Sequence, residues 1–261
     1  MSDLVAGSAI VTGAGSGIGR AVALALSMRG APVGLMDVLP DGLAELAATV
    51  KQRGRVATAQ ADVSRWEDVD RAVEALERDL GPTGILVNAA GILDGYAPAD
   101  ELSPSVWERV IAINLTGTFY CAKRVLPGML ARGVGRIINI GSVASVVGSG
   151  GGPAYTASKH GVLGITRQLA ITYADRGVTV NAIGPGAVAT GLRANSTRIL
   201  GPEAPPMRGV GGDESAVRAL TPAGRRGTAE EMAACVAFLA SADAAYVNGH
   251  LLVADGGWTA R

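Results

Sequence analysis

Short apolar runs alternate along this chain with longer stretches in which apolar positions recur every three or four residues, the signature of buried strands separated by amphipathic helices. The runs fall at 8–12, 31–36, 55–61, 85–87, 136–140, 178–183 and 251–253. Between them the helical pattern leads up to Met28 and then covers 41–52, 104–131, 154–175 and 228–240. Strands that alternate with helices pair in parallel, because each crossover helix returns the chain to the same end of the sheet. The pattern therefore predicts an α/β fold: a doubly wound parallel sheet of about seven strands with helices on both faces.

Local signals place the helix starts. Ser64-Arg65-Trp66-Glu67 and Thr228-Ala229-Glu230-Glu231 have capping-box spacing, and Ser103-Pro104 joins an N-cap to a first-turn proline. The stretch 191–222 breaks the periodicity with Gly201, Pro202, Pro205, Pro206, Gly209, Gly211 and Gly212. Its length and composition predict an irregular segment that serves as a lid over a substrate.

Composition narrows the picture. With 261 residues and 48% hydrophobic content, one domain with a substantial core, spanning 1–261, is expected. Lys plus Arg and Asp plus Glu both number 23, so no charge excess draws the chain to nucleic acid or to an anionic membrane. Cys121 and Cys235 lie far apart on apolar helical stretches and read as free thiols. His160 and His250 are the only histidines, without a cluster at ligand spacing, and no metal is expected. The start, Met1-Ser2-Asp3-Leu4, lacks a basic and apolar leader, which points to a cytoplasmic protein.

Three places carry chemistry. Gly13-Ala14-Gly15-Ser16-Gly17-Ile18-Gly19 lies between a strand and a helix, where glycines let the backbone approach a pyrophosphate and the helix start offers free N–H groups. Asp37 ends the second strand, placed to accept both hydroxyls of an adenosine ribose and to repel a 2′-phosphate, so NAD is preferred over NADP. Ser16 and Val38 supply no cation for that phosphate. Finally, Tyr155 and Lys159 stand four residues apart on one helix face, where an ammonium favours the phenolate of a group whose pKa is ordinarily about 10. Ser142, at the carboxyl end of a strand, faces the crevice where such sheets bind ligands, and the small residues Ala90 and Gly91 would let a cofactor lie against the backbone. Asn114, by itself, reads as a structural polar group within a helix.

Taken together, Thr12-Gly13-xxx-Gly17-Ile18-Gly19, Asp62-Val63, Asn88-Ala89-Ala90-Gly91, Asn114, Ser142, Tyr155-xxx-Lys159, Pro185-Gly186 with Thr190, and Asp255-Gly256-Gly257 resemble the short-chain dehydrogenase/reductase family over nearly the whole chain. The resemblance implies a single Rossmann-like domain and a catalytic set of Asn114, Ser142, Tyr155 and Lys159. Tyr155 would exchange the proton, Lys159 hold the nicotinamide ribose, Ser142 orient the substrate oxygen and Asn114 hold a water. Asp62 and Val63 would contact adenine, Asn88 the adenosine side, and Val188 and Thr190 the carboxamide end. Ala89 departs from the family's usual second asparagine. A homotetramer is implied as well. The expected activity is NAD(H)-dependent interconversion of a secondary alcohol and a ketone. A 3-oxoacyl-carrier-protein reductase is the rival within enzymes, and a non-catalytic cofactor-binding regulator is the rival outside them. Ala144, Val146, Val147, Gly95, Tyr96, Gly186 and Leu192 are expected to border a largely apolar substrate pocket with few charge contacts.

Overall fold

Alternation inside the strands decides which helices cover which face. In the computed structural model, which describes residues 4–209 and 213–260, the strands are β1 (Ser8–Thr12), β2 (Val33–Asp37), β3 (Val56–Gln60), β4 (Thr83–Asn88), β5 (Gly135–Ile140), β6 (Val178–Pro185) and β7 (Leu251–Ala254). They form one 7-stranded sheet in the order β3-β2-β1-β4-β5-β6-β7, every pairing parallel. Ala9, Val11, Val33, Leu35, Ile85, Val87, Ile138 and Ile140 point to the face covered by α1 (Gly17–Met28), α2 (Pro40–Lys51) and α9 (Ala229–Leu239). Ile10, Met36, Leu86, Ile137, Val178 and Val180 point to the opposite face, under α3 (Trp66–Leu80), α5 (Gly117–Arg132) and α6 (Pro153–Tyr173). Burial on both sides is why these strands read as continuous apolar runs rather than as alternating ones. Each large side chain so buried contributes about 1.5–3 kcal/mol.

The winding direction reverses between β1 and β4, which are neighbours although two strands intervene in the chain. Loops leaving β1 and β4 therefore turn to opposite faces and open a crevice at the carboxyl edge of the sheet.

Three expectations change. Ser64 does not cap α3: the helix begins after Arg65 without a side-chain cap, and the Ser64 hydroxyl donates instead to Asp62 Oδ1 at 2.6 Å. Asp62 competes for the hydroxyl from two residues away, forming a local turn before the helix can use it. The expected helix 104–131 is divided into α4 (Pro104–Ile111), a π-helical turn (Ala112–Thr116) and α5, with the Gly117 amide bonded to the Ala112 carbonyl. The irregular stretch 191–222 contains α7 (Leu192–Leu200), a 3₁₀ turn (Gly201–Glu203) and α8 (Glu214–Leu220); Gly211 and Gly212 lie outside the described residues. By contrast, Ser103 caps α4 through the Val106 amide, and the box at Thr228 and Glu231 is formed in both directions. No helix among the described residues is long and apolar enough to cross a membrane.

Candidate active site

The crevice begins where two backbones nearly touch. Thr12 Oγ1, at the end of β1, accepts the amides of Ala89 and Ala90 at 3.1 Å each, joining β1 to the loop after β4. Gly13 follows with φ +64°, and a Cβ there would stand 2.8 Å from the Ala90 nitrogen. A Cβ on Gly19 would stand 2.2 Å from the Gly13 carbonyl oxygen, so only glycine lets the first turn of α1 seat on the strand end. No side chain caps α1, which leaves the N–H groups of its first turn for a ligand. Ser16, at the N-cap position, instead accepts a hydrogen bond from Asn195 Nδ2 of α7 at 2.8 Å.

Asp37 closes one side of this turn. Its Oδ2 accepts the Gly15 amide at 2.8 Å and its Oδ1 the Leu39 amide at 3.0 Å, which fixes the carboxylate against the crevice while leaving lone pairs for further donors. On the next loop, Asp62 accepts from Arg109 Nη2 at 2.7 Å, and Arg109 Nη1 also donates to Ser64 Oγ at 2.8 Å. Burial would raise the Asp62 pKa, but the bonds to Ser64 and Arg109 outweigh it and hold the carboxyl below its ordinary range. Arg109, on α4, was not legible as a site residue, because nothing in its sequence neighbourhood distinguishes it from a solvated helix position.

At the other end, Tyr155 and Lys159 share a face of α6, both buried. Lys159 Nζ donates to the Ile140 carbonyl at 2.7 Å and lies 5.5 Å from the centre of the Tyr155 ring. Burial pushes the Tyr155 phenol up from its ordinary value, while a hydrogen bond with Ser142 pulls it down. Asn114 sits in the π turn, and its side chain accepts the Ile92 amide at 2.8 Å and donates to the Ile92 carbonyl at 3.0 Å and to Ser158 Oγ at 3.1 Å. Ser158 in turn donates to the Tyr155 carbonyl at 2.7 Å, so the π turn is bonded to the turn of helix that carries the phenol. A Cβ on Gly91 would meet Asn114 Oδ1 at 3.3 Å and Lys159 Nζ at 3.7 Å, which shows why a small residue stands there.

Gly13, Ser16, Gly17, Ile18, Gly19, Asp37, Asp62, Val63, Ala90, Gly91, Ser142, Tyr155, Lys159, Pro185, Gly186, Val188 and Thr190 all line one cleft, of about 1160 Å³ with its open mouth. Two expected residues do not line it. Asn88 turns inward, where its Nδ2 donates to Asn139 Oδ1 at 2.9 Å, and Asn139 Nδ2 reaches Thr166 Oγ1 of α6 at 2.9 Å. Asn114 lies behind the wall, its amide spent on Ile92 and Ser158. The cleft suits a nicotinamide dinucleotide: glycines with no room for a side chain, an uncapped helix start for the pyrophosphate and a carboxylate for a ribose.

Beside it lies a recess that includes Tyr96, Ser142, Tyr155, Gly186 and Leu192, with Arg193, Glu214, Arg226 and Trp258. Tyr96, Gly186 and Leu192 were expected there, whereas Ala144, Val146, Val147 and Gly95 do not reach its wall. Three charged side chains join an otherwise largely apolar wall. They come largely from α7 and α8, the helices that composition had concealed. Arg226 is paired with Glu214, while Arg193 donates to the Met207 and Arg208 carbonyls.

Comparison with known proteins agrees with this geometry. A family model described as Enoyl-(Acyl carrier protein) reductase matches residues 13–259. The 2-(S)-hydroxypropyl-CoM dehydrogenase 3 of Xanthobacter autotrophicus is 41% identical over 255 residues, covering 96% of this chain and 95% of that one. The crystal structure of levodione reductase superposes with a TM-score of 0.87 at 37% identity, covering 100% of this chain and 99% of that one. A structure assigned as an NAD(P)-dependent gluconate 5-dehydrogenase from Beutenbergia cavernae, with NADP bound at low occupancy, superposes with a TM-score of 0.86 at 38% identity and covers 100% of both chains.

Burial holds the Lys159 ammonium below the ordinary lysine range, at about 8 instead of 10.5. Between those values the unfolded chain keeps a proton that the folded chain has released, so this group's contribution to stability rises with pH across the window and levels off below it. Lys159→Met keeps the stem and removes the charge. It should stabilise the ligand-free protein at neutral pH by about 2 kcal/mol after the lost bond to Ile140 is counted. The gain should fall as pH rises from 8 to 10.5 and give way above it to a deficit of about 1 kcal/mol, the lost bond to Ile140. Urea unfolding of both proteins across pH measures this, and a methionine variant less stable than its parent at neutrality contradicts it.

Proposed function

Because the chain belongs to the short-chain dehydrogenase/reductase family, we propose that it interconverts a secondary alcohol and a ketone, using NAD(H) in preference to NADP(H). The observation that carries this reading is the buried pair Tyr155 and Lys159 on one face of α6, at the end of a cleft whose other end is closed by the Asp37 carboxylate. The bound nicotinamide supplies the hydride chemistry, and the protein supplies position and a proton. Tyr155 gives its proton to a ketone oxygen or takes one from an alcohol. Ser142, hydrogen-bonded to that phenol, orients the same oxygen. Lys159 binds ribose hydroxyls and, charged, draws the phenol down from the high value that burial imposes. Asn114 holds the start of this turn through Ser158 and the Tyr155 carbonyl.

The glycine turn at 13–19 holds the pyrophosphate, Asp62 and Val63 border adenine, and Val188 and Thr190 the carboxamide end. Asp37 reads the adenosine ribose. Its carboxylate faces the cleft with Val38 and Ser16 as neutral neighbours, so a 2′-phosphate would meet a negative charge with no cation from either of them, and Arg109 of the same cleft is paired with Asp62. This supports NAD for this chain, although a structural relative holds NADP.

The stretch 191–222 is a lid whose α7 rests on the cleft through the Asn195 to Ser16 bond. We place the enzyme in the cytoplasm as a homotetramer. Trp107 on α4 and Phe119 on α5 are 40% and 42% exposed, Ile171 on α6 is 83% exposed, and Tyr246 beside β7 is fully exposed. Such apolar positions on α4–α6 and at the β7 edge suit two packing surfaces.

Tyr155→Phe keeps the ring and deletes the transferable proton. Turnover of the best alcohol from a substrate panel should fall by about a thousandfold or more, with NADH affinity by fluorescence titration within a few-fold of the parent. Undiminished turnover sinks the assignment. Asp37→Ala should weaken NAD by about tenfold and leave or improve NADP; an unchanged ratio of kcat/KM between the two means that Asp37 does not read the ribose. Light scattering at micromolar concentration should give four chains, and the same sample should lose protease cuts within 191–222 when NADH and a substrate analogue are added. A monomer removes the first idea and unaltered cutting the second.

A further inference from the structure

Asp94 lies on the loop after β4 and is completely buried. Its carboxylate meets backbone N–H groups from two segments. Oδ1 accepts the Tyr96 amide at 3.2 Å and the Gly152 amide at 3.1 Å, and Oδ2 accepts the Tyr155 amide at 2.9 Å. Among the described residues it has no cationic partner. Burying a carboxylate without one is costly, so its three amide bonds are what make the arrangement tolerable.

The positions of those amides matter more than their number. Gly152 is the N-cap of α6, it has no side chain with which to cap, and Tyr155 is the third residue of the helix. A helix normally satisfies its third-residue amide with a Ser, Thr or Asp at its own N-cap. Here the acceptor arrives from another loop, and the amide it holds belongs to the residue assigned the proton transfer. The fit is close: a Cβ on Gly152 would stand 2.6 Å from Asp94 Oδ2, so a cap in the helix's own sequence and Asp94 exclude one another. The same loop carries Tyr96 at φ +58°, a conformation that is strained for a bulky residue, and the Tyr96 hydroxyl donates to the Gly150 carbonyl at 3.0 Å. Tyr96 lines the recess beside Tyr155.

We propose that Asp94 is the positioning residue of this site: its carboxylate caps α6 from outside the helix, sets the place of Tyr155, and by the same bonds holds Tyr96 at the wall of the substrate recess. The proposal rests on the reading of Tyr155 as the acid/base group. Electrostatics gives it a distinct signature. The groups that face the phenol are Ser142 after β5, Tyr96 and Asp94 on the β4 loop, and Lys159 on α6, with Arg193 of α7 over the Tyr96 ring. Burial first, and then the charges of the Tyr96 and Asp94 groups, push the phenol up, against the pull of Ser142. Neutralising Asp94 must therefore lower the pH at which Tyr155 loses its proton.

The test uses the full chain, Asp94→Asn, and the double variant Asp94→Ala with Gly152→Ser, in which a serine caps the helix from its own sequence in the space the carboxylate vacates. For Asp94→Asn, kcat for alcohol oxidation should fall on the order of tenfold to a hundredfold. NADH affinity should stay within a few-fold of the parent, and the rising limb of the kcat profile should move to lower pH. The double variant should recover the thermal stability and part of kcat while the displaced limb persists, because the cap is restored and the charge is not; it carries the test alone if Asp94→Asn fails to fold. A folded variant with parental kcat and an unmoved limb overturns the proposal, as does a loss of kcat that tracks stability with no shift in the profile. Tyr155→Phe run alongside separates the two ideas. If it keeps turnover, the acid/base reading has failed; if it is inactive while the Asp94 variants behave like the parent, only the role of Asp94 has.

Discussion

The contact between the end of β1 and the loop after β4 is the constraint on which the site depends. Thr12 bonds two consecutive amides of that loop, Gly13 leaves no room for a side chain against Ala90, and Gly19 leaves none against Gly13. This seam lies where the order of strands reverses, so the helix start of α1 and the loop at 89–94 open away from each other on its two sides. Much of the cleft's lining is hung from those two loops or from the strand ends beside them, and α4, the π turn, α6 and α7 supply the rest.

Around the seam, polar groups are buried in a way that a core chosen for stability alone would avoid. Lys159 is buried with a carbonyl for a partner, Asp94 with three amides, and Asn88 and Asn139 form a bonded pair between adjacent strand ends. Buried charges of this kind lower the stability of the empty protein and hold reactive side chains in one geometry. The π turn is part of the same economy. It interrupts a helix that would otherwise run on, and the extra residue turns Asn114 toward Ile92 and Ser158, which connects the β4 loop to the turn of α6 that carries Tyr155.

Much of this was legible before any coordinates. The apolar runs mark every strand of the sheet, with ends displaced by a residue or two: β1, β2 and β4 to β6 are covered on both faces, whereas the edge strands β3 and β7 keep exposed positions. The glycine turn, Asp37, Ser142 and the pair Tyr155 and Lys159 were legible as well, since each couples a residue type to a position at a strand end or along a helix face. Other features depart from the local pattern for identifiable reasons. Ser64 has the spacing of a capping box, but Asp62 competes for its hydroxyl. Asn88 sits beside the small residues of the loop, yet pleating turns its side chain inward to Asn139. The prolines and glycines of 191–222 suggested an irregular segment, whereas the polar residues between them build α7 and α8.

Periodicity and local spacing determined the strands, most of the helices and most of the residues that line the cleft, because those features depend on neighbours within a few positions along the chain. Only tertiary structure decided which groups answer one another across loops: Arg109 on Asp62, Asn195 on Ser16, Arg193 at the recess and Asp94 beneath Tyr155. Partners brought together from 47, 61 or 179 residues apart leave no periodic trace in the chain, since a hydrogen bond needs proximity in space and sets no rule for separation in sequence.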